Sequence, residues 1–350
     1  MNKAKIQLSE ITANLTVIVP AYNGAACIGH TIESIQNQTL RPQTIIVVDD
    51  FSGDGTGDIA RSYGVKVVRP PANTGTKAGA QNFALQFITT KLTMITDADT
   101  VLAPDAIRQL VPAFNDQGVA AACGFVLPKH VKTVWERGRY IEYLFSFSFY
   151  KQIQDFYGTP LISSGCLSMY RTPYLRQAGG WSNRTMAEDM DLTWTLYQLG
   201  YKVRFMPRAV CWPIEPDSFN LMHKQLKRWS AAYLQNVKLH YRGISKIPFL
   251  FSAMAVSLTD AILSATIYLF IIPLLAVLVS PLFLLGYIID APVIMIPAFI
   301  MAAKRKELRC AITSFPSLFV LRLVNGFIFL KAVLFEVVLR QHLTTYEKGH

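Results

Sequence analysis

The stretch LTVIVPAYNGAACIGHTIESIQNQTLRPQTIIVVDDFSGDG, residues 15–55, decides the fold. A β-branched run (LTVIVP) is followed by a helical pattern from Ile28 to Gln38 and then by a second β-branched run, TIIVVDD. The alternation continues with a helix near Asp58, the strand VKVVRP, a helix over Ala78 to Phe87 and the strand LTMITDAD. Continuous apolar strands separated by helices predict a parallel sheet covered on both faces, with ligands collecting at the carboxyl ends of its strands. Those ends carry Tyr22, Asn23, Asp49, Asp50, Asp97 and Asp99. Beyond about residue 120 the pattern is less regular, and no internal repeat or low-complexity linker interrupts it.

Composition adds a second component. At 350 residues, only 16% of them charged, the chain is too long for one ordinary domain and too apolar to be disordered. The apolar excess is concentrated, since no Asp, Glu, Lys or Arg occurs between Asp260 and Asp290. Two membrane helices are predicted over 252–279 and 282–303, each exceeding the roughly 20 residues that hydrocarbon requires. Asp290 is expected inside the second, with Pro273, Pro292 and Pro297 kinking these spans or marking interfacial segments. A third segment, 315–339, contains Arg322, Lys331 and Glu336; it either spans with its charges toward protein or lies in the interface, and spanning is the reading adopted.

The net charge of +11 is also local. Residues 202–246 hold nine Lys/Arg against Glu215 and Asp217, and Lys304, Arg305, Lys306 and Arg309 follow the second apolar segment. The positive-inside rule then places both stretches in the cytosol and predicts a multi-pass membrane protein with its soluble part facing the cytosol, in contact with membrane lipids. Nucleic acid is not an expected partner, because no helix-turn-helix, zinc-finger or aromatic RNA-binding motif accompanies the charge. Five cysteines without a CxxC pair fit a reducing compartment, and residues 1–14 lack the apolar core of a signal peptide or membrane helix.

Asp97 and Asp99, two apart in what reads as an extended segment, should share a face and offer hard oxygen ligands to Mg²⁺ or Mn²⁺. Alone, DxD is a weak signal. Its company is stronger: VPAYN (19–23), VVDDFSGDGT (47–56), NTGTKAGAQN (73–82), DAD (97–99), SGCLSMYR (164–171), AEDMD (187–191) and QLKRW (225–229). Together, over residues 15–235, these motifs resemble glycosyltransferase family 2, and the apolar tail resembles its membrane-bound members that make cellulose, hyaluronan or poly-N-acetylglucosamine.

The resemblance implies an α/β GT-A fold, a Rossmann-like and mostly parallel sheet followed by C-terminal transmembrane helices. It divides the chain into a cytosolic catalytic domain, 1–235, and a membrane region, 236–350, of two to three transmembrane or interfacial helices. It further implies an inverting, metal-dependent hexosyltransferase that takes a sugar from a UDP-sugar. Tyr22 and Asp50 match the base- and ribose-holding positions, against the plain alternatives of a strand-end tyrosine and a turn-capping aspartate. Lys77, in a Gly-rich turn opening a helix, matches a diphosphate contact. Asp99 matches the metal-binding carboxylate and Asp97 its partner, which contacts the metal, the ribose or the sugar.

Asp189 matches the catalytic base beside Glu188; both also read as helix-opening acids favoured by the macrodipole. Gln225, Arg228 and Trp229 form the QxxRW motif, with the arginine suited to the leaving diphosphate and the tryptophan to an acceptor sugar. An interfacial helix with snorkelling cations is the plain alternative. Gly165 and Cys166 match an acceptor-contacting turn. Gly24, Phe51 and Ser230 depart from the commoner family pattern, as does the lack of an N-terminal membrane pair.

The expected acceptor is a β-linked polysaccharide or oligosaccharide, and the alternative is transfer of a single sugar to a polyprenyl phosphate or ceramide-like lipid. The motifs fit a monomer or a homo-oligomer.

Overall fold

The computed structural model describes residues 12–344. It comprises two compact units, one from Met1–Val126, Ile162–Asn183 and Asp191–Pro213, the other from Leu127–Leu161, Arg184–Met190 and Ile214–His350. The strands are β1 (Thr12–Ala21), β2 (Arg41–Asp49), β3 (Lys66–Val68), β4 (Leu92–Ile95), β5 (Val101–Leu102), β6 (Val119–Val126), β7 (Ser168–Arg171) and β8 (Lys202–Trp212). The helices are α1 (Ile28–Gln36), α2 (Thr56–Ser62), α3 (Lys77–Leu85), α4 (Ala106–Leu110), α5 (Val134–Phe145), α6 (Lys151–Phe156), α7 (Thr172–Gln177), α8 (Glu188–Gln198), α9 (Phe219–Ile244), α10 (Pro248–Thr266), α11 (Ile272–Leu278), α12 (Ala291–Lys304) and α13 (Leu308–Val333).

The first unit holds one sheet in the order β3-β2-β1-β4-β7-β6-β8-β5. Strands β3, β2, β1 and β4 are mutually parallel, as the alternation of strands and helices predicts. Strand β7 runs antiparallel to both of its neighbours, β4 and β6, and β6 pairs in parallel with β8. The central strands are hydrophobic on both faces: Val17, Ile18 and Val19 of β1 and Ile46 and Val47 of β2 are fully buried. On α1 the buried Ile28, Ile32 and Ile35 form a stripe at helical spacing, and this covers the sheet.

One glycine sets a local close approach. A Cβ on Gly124 of β6 would lie 2.2 Å from Leu167 Cδ2 and 2.5 Å from the Ala209 carbonyl oxygen. Only glycine lets β6 and β8 come together there, at the point where their register shifts.

The second unit is helical, with α13 as its spine. Met222 and Leu226 of α9 cluster with Leu321 and Ile328 of α13, and farther along, Tyr233 meets Phe329 and Gln235 meets Glu336. The numbers ascend together, so α9 and α13 run parallel. Helix α5 packs against α13: Gly138 sits against Leu321 and Ser317, Arg137 donates to the Thr313 carbonyl at 3.5 Å, and Tyr140 donates to Glu307 at 2.8 Å. The N-terminus of α5 carries a capping box between Thr133 and Glu136.

Three segments, Pro248–Leu278, Pro281–Lys304 and Leu308–Val338, are long and apolar enough to cross a membrane by length and composition. The sequence places Asp290 inside a helix. It lies instead in the turn between the 3₁₀ segment Pro281–Ile288 and α12, as the N-cap of α12. Pro292 occupies the first turn of α12, where a missing N–H costs nothing, whereas Pro273 follows the π-turn Ile267–Ile271 within the continuous helix Pro248–Leu278 and Pro297 lies inside α12.

Candidate functional site

In the first unit the parallel pairing of β1, β2 and β4 brings their carboxyl ends to one edge of the sheet. Tyr22 follows β1 with its side chain half exposed, and Asp50 follows β2 and is buried. Two neighbouring aspartates there divide the work. Asp49 caps the DDFSG turn, accepting from the Ser52 N–H at 3.0 Å and pairing with Arg69 at 3.1 Å. Asp50 reaches the glycine-rich loop instead, accepting from both the N–H and the hydroxyl of Thr74 at 2.9 Å. The turn-capping role weighed for Asp50 therefore belongs to Asp49, and Asp50 orders the loop that leads into α3.

Thr76 caps α3, accepting from the Gly79 N–H at 3.0 Å, so Lys77 is the first helical residue. Its ammonium forms an ion pair with Asp97 and donates to the Gly165 carbonyl at 3.3 Å. Lys77, Asp97 and Gly165, far apart in the chain, are thus in direct contact. Cys166, next to Gly165, has its sulfur 3.9 Å from that of Cys211, and no disulfide joins them.

Asp97 and Asp99 do not continue strand β4. They lie in a turn closed by the Thr100 N–H on the Asp97 carbonyl at 3.2 Å, so strand alternation does not set their directions. Asp99 is buried and accepts from the Thr100 hydroxyl at 3.2 Å, whereas Asp97 is one-third exposed beside Lys77.

In the second unit Glu188 and Asp189 open α8, where the positive end of the helix favours them. The strand of chain before them is tied to α9. The Met186 N–H donates to Gln235 at 3.0 Å, and the buried Asn236 donates to the Thr185 hydroxyl at 3.1 Å. Gln225, Arg228 and Trp229 also lie on α9.

Gln225 is buried and engaged, accepting from Arg139 at 2.9 Å and donating to Glu215 at 3.4 Å. The Arg139 guanidinium stacks on the Trp229 ring at 4.7 Å and pairs with Glu142 at 2.5 Å and with Glu215 at 3.6 Å. Burial opposes its charge, but Glu142, Tyr143 and Glu215 outweigh burial and hold its pKa above the ordinary value.

Neither Arg139 nor Glu215 is singled out by any motif. The signal available in the sequence is Arg139 three residues before Glu142 on a helix otherwise rich in aromatics.

Among the described residues no group of three or more His, Cys, Asp or Glu side chains is placed to hold a metal ion. The donor set at the sheet edge is two carboxylates in one turn, both hard oxygen donors. That set does not form a protein cage. It fits a hard divalent cation that takes one or two carboxylates and completes its shell with phosphate and water oxygens.

The family model described as Glycosyl transferase family 2 matches residues 16–179. Among curated relatives, a poly-beta-1,6-N-acetyl-D-glucosamine synthase of Staphylococcus epidermidis is 25% identical over 221 residues, covering 62% of this chain and 53% of that protein. A probable glycosyltransferase, YdaM of Bacillus subtilis, is 30% identical over 228 residues, covering 62% and 54%. The chain therefore spans about half the length of the curated relatives it matches.

Among solved structures, the mannosyltransferase PcManGT of Pyrobaculum calidifontis, in complex with GDP-Man and Mn²⁺, aligns over 92% of this chain and 88% of its own at a TM-score of 0.56 and 19% identity. That likeness concerns the fold, which is the GT-A fold with a helical C-terminal part.

Proposed function

Residues 16–179 of this chain are a glycosyltransferase family 2 domain, and on that premise we propose a membrane-bound, inverting enzyme that moves a hexose from a UDP-sugar onto a β-linked polysaccharide or oligosaccharide. The observation that carries the reading is the contact of Lys77 with Asp97 and Gly165 at the sheet edge that also bears Asp50 and Asp99. The poly-N-acetylglucosamine synthase relatives support a glycan acceptor. Residues 1–235 would supply the catalytic part, facing the cytosol, and residues 236–350 the membrane part.

In this reading Tyr22 lies against the base and Asp50 accepts from the ribose or base. Lys77 exchanges Asp97 for the diphosphate, bringing a cation to the bond that breaks. Asp99, with Asp97, would hold a divalent Mg²⁺ or Mn²⁺, which when bound supplies Lewis-acid stabilisation of the departing UDP.

Asp189 takes the proton of the acceptor hydroxyl as its oxygen bonds to C1 and the C1–O bond to UDP breaks, which inverts the anomeric centre. Glu188, Gly165 and Cys166 flank the acceptor, and Gln225, through Arg139, keeps Trp229 oriented to stack on a sugar. Arg228 adds charge for the diphosphate.

The test is UDP release by full-length protein in its membrane fraction against a panel of UDP-sugars, with products sized. A ladder of products is expected, while a single lipid-mobile product would instead support transfer to a polyprenyl phosphate or ceramide-like acceptor. Asp189→Asn is expected to lower acceptor-dependent turnover by at least about a hundredfold, and Asp99→Ala to abolish the response to added Mn²⁺. Full turnover in the first variant, or an unchanged cation response in the second, would overturn the corresponding role.

A further inference from the structure

Length and hydropathy suggest three spans, but the packing around α13 argues for a different attachment. From Glu307 to Glu336 the spine is flanked first by α5, through Tyr140, Arg137 and Gly138, and then by α9, through Met222, Leu226, Tyr233 and Gln235. Those 29 steps, at 1.5 Å each, are about 44 Å of helix. No stretch of α13 as long as the ~30 Å hydrocarbon layer is clear of both neighbours. Any slab crossed by α13 would therefore also enclose charged stretches of α5 or α9, with Glu136, Arg137 and Glu142 on the one and Lys224, Lys227, Arg228 and Lys238 on the other. Each Lys or Arg at mid-depth opposes insertion.

The other apolar helices follow the spine. Helix α10 lies antiparallel along one part of α13, with Ala265 against Gly326 and Tyr268 accepting from Arg322 at 2.9 Å. Helix α12 lies along the other part, with the rings of Phe299 and Phe315 5.7 Å apart. The two meet at Arg322, which grips Asp290 through two hydrogen bonds of 2.9 and 2.5 Å.

Between Tyr268 and Asp290 the chain forms a hairpin closed on itself by Tyr287, which donates to the Tyr268 carbonyl at 2.9 Å, and by Ile272 against Gly286. Its tip is bare, with Val277 83%, Leu278 71% and Leu282 72% exposed. From Tyr268 to Leu278 is ten steps of helix, about 15 Å, which is half the hydrocarbon thickness.

We propose that the second unit sits in one leaflet only. Helices α10, α12 and α13 lie in the interface with their outward apolar sides, Val256, Leu263, Val293, Ile296, Ile312 and Phe327 among them, toward acyl chains. The hairpin 269–289 reaches no deeper than the bilayer midplane, and the Arg322–Asp290–Tyr268 cluster at its base stays at headgroup level. The occupant of the apolar face is lipid, because the bare residues are continuous aliphatic and aromatic side chains while the cations of α9 and of the Lys304–Arg309 turn can meet anionic headgroups beside them. The proposal rests on the membrane-bound reading above but not on its chemistry.

The test is site-directed labelling of the full chain in intact cells and in inside-out vesicles, using a variant whose five cysteines are replaced by serine. Three spans would place Ser280 and Arg340 on the face opposite Lys306, whereas one-leaflet attachment leaves nothing on that face. Ser280→Cys and Arg340→Cys should both resist a membrane-impermeant maleimide added outside cells. Arg340→Cys and Lys306→Cys should both react in inside-out vesicles. A lipid-permeant fluorophore at position 280 should be quenched by nitroxide lipids labelled near the chain ends. Labelling of Ser280→Cys or Arg340→Cys from outside would overturn the proposal. Because labelling does not read turnover, its failure is separate from any failure of the glycosyltransferase reading.

Discussion

Arg139→Met provides a sharp test of what organises the QxxRW helix. The guanidinium is 1% exposed and serves two carboxylates of different standing. Glu142 is 30% exposed and can rehydrate once its partner is gone, whereas Glu215, at 4%, cannot. The cost therefore falls on a buried carboxylate that loses the Arg139 guanidinium, and breaking a buried pair typically costs about 3–5 kcal/mol. At about 2 °C per kcal/mol for a protein of this size, the unfolding midpoint should fall by roughly 6–10 °C.

The assay is thermal unfolding of full-length protein in detergent, for Arg139→Met, Glu215→Gln and the double variant. Neutralising Glu215 removes the charge that Arg139 faces, so the double variant should recover most of the loss, with a coupling of at least about 1.5 kcal/mol. A fall below about 2 °C, or a double variant no more stable than Arg139→Met, would refute the assignment. The same change removes the cation from the Trp229 face, a contact of about 0.5–2 kcal/mol. The acceptor KM should rise in Arg139→Met even where stability is restored by Glu215→Gln.

Other outcomes follow from the first unit. Phe51 has a φ of +68° and stacks under Arg69 at 4.7 Å. Phe51→Gly should therefore be more stable than Phe51→Ala by about 1 kcal/mol, the reverse of their order at an ordinary position; equilibrium denaturation of both variants measures it. Gly124→Ala forces a Cβ onto the Ala209 carbonyl and should cost about 1–3 kcal/mol, with no rescue from Leu167→Ala because the obstacle includes backbone. Lys77→Met removes a charge-assisted contact and should raise the KM for the UDP-sugar about ten- to a hundredfold, by steady-state kinetics, with little change in unfolding midpoint.

The sheet was legible because β1, β2 and β4 are unbroken apolar runs punctuated by helices, and such runs are stable only when covered on both faces. The edge where Tyr22, Asp50, Asp97 and Asp99 emerge follows from that alone. The direction of β7 was not legible, since SMYR is too short for its four residues to distinguish parallel from antiparallel pairing.

The turn at Asp97–Thr100 was also hidden. An extended reading and a turn share the letters DAD, and a backbone bond between the Thr100 N–H and the Asp97 carbonyl decides between them. Arg139 and Glu215 escaped for a different reason: pairing between residues 76 apart leaves no periodic trace, and neither position carries a motif. Hydropathy found the apolar segments but is blind to what lies beside them, and for α13 the neighbouring charged helices bear on orientation more than its own composition does.

On the proposed function, the ion pair between Lys77 and Asp97 has a consequence for how a nucleotide-sugar would arrive. Before arrival the two groups satisfy each other, so the sheet edge presents little uncompensated charge at that point. A diphosphate that drew the ammonium away would leave the aspartate's charge for a divalent cation to meet. Arrival would then be a swap of partners, in which a sugar lacking its nucleotide has nothing to offer.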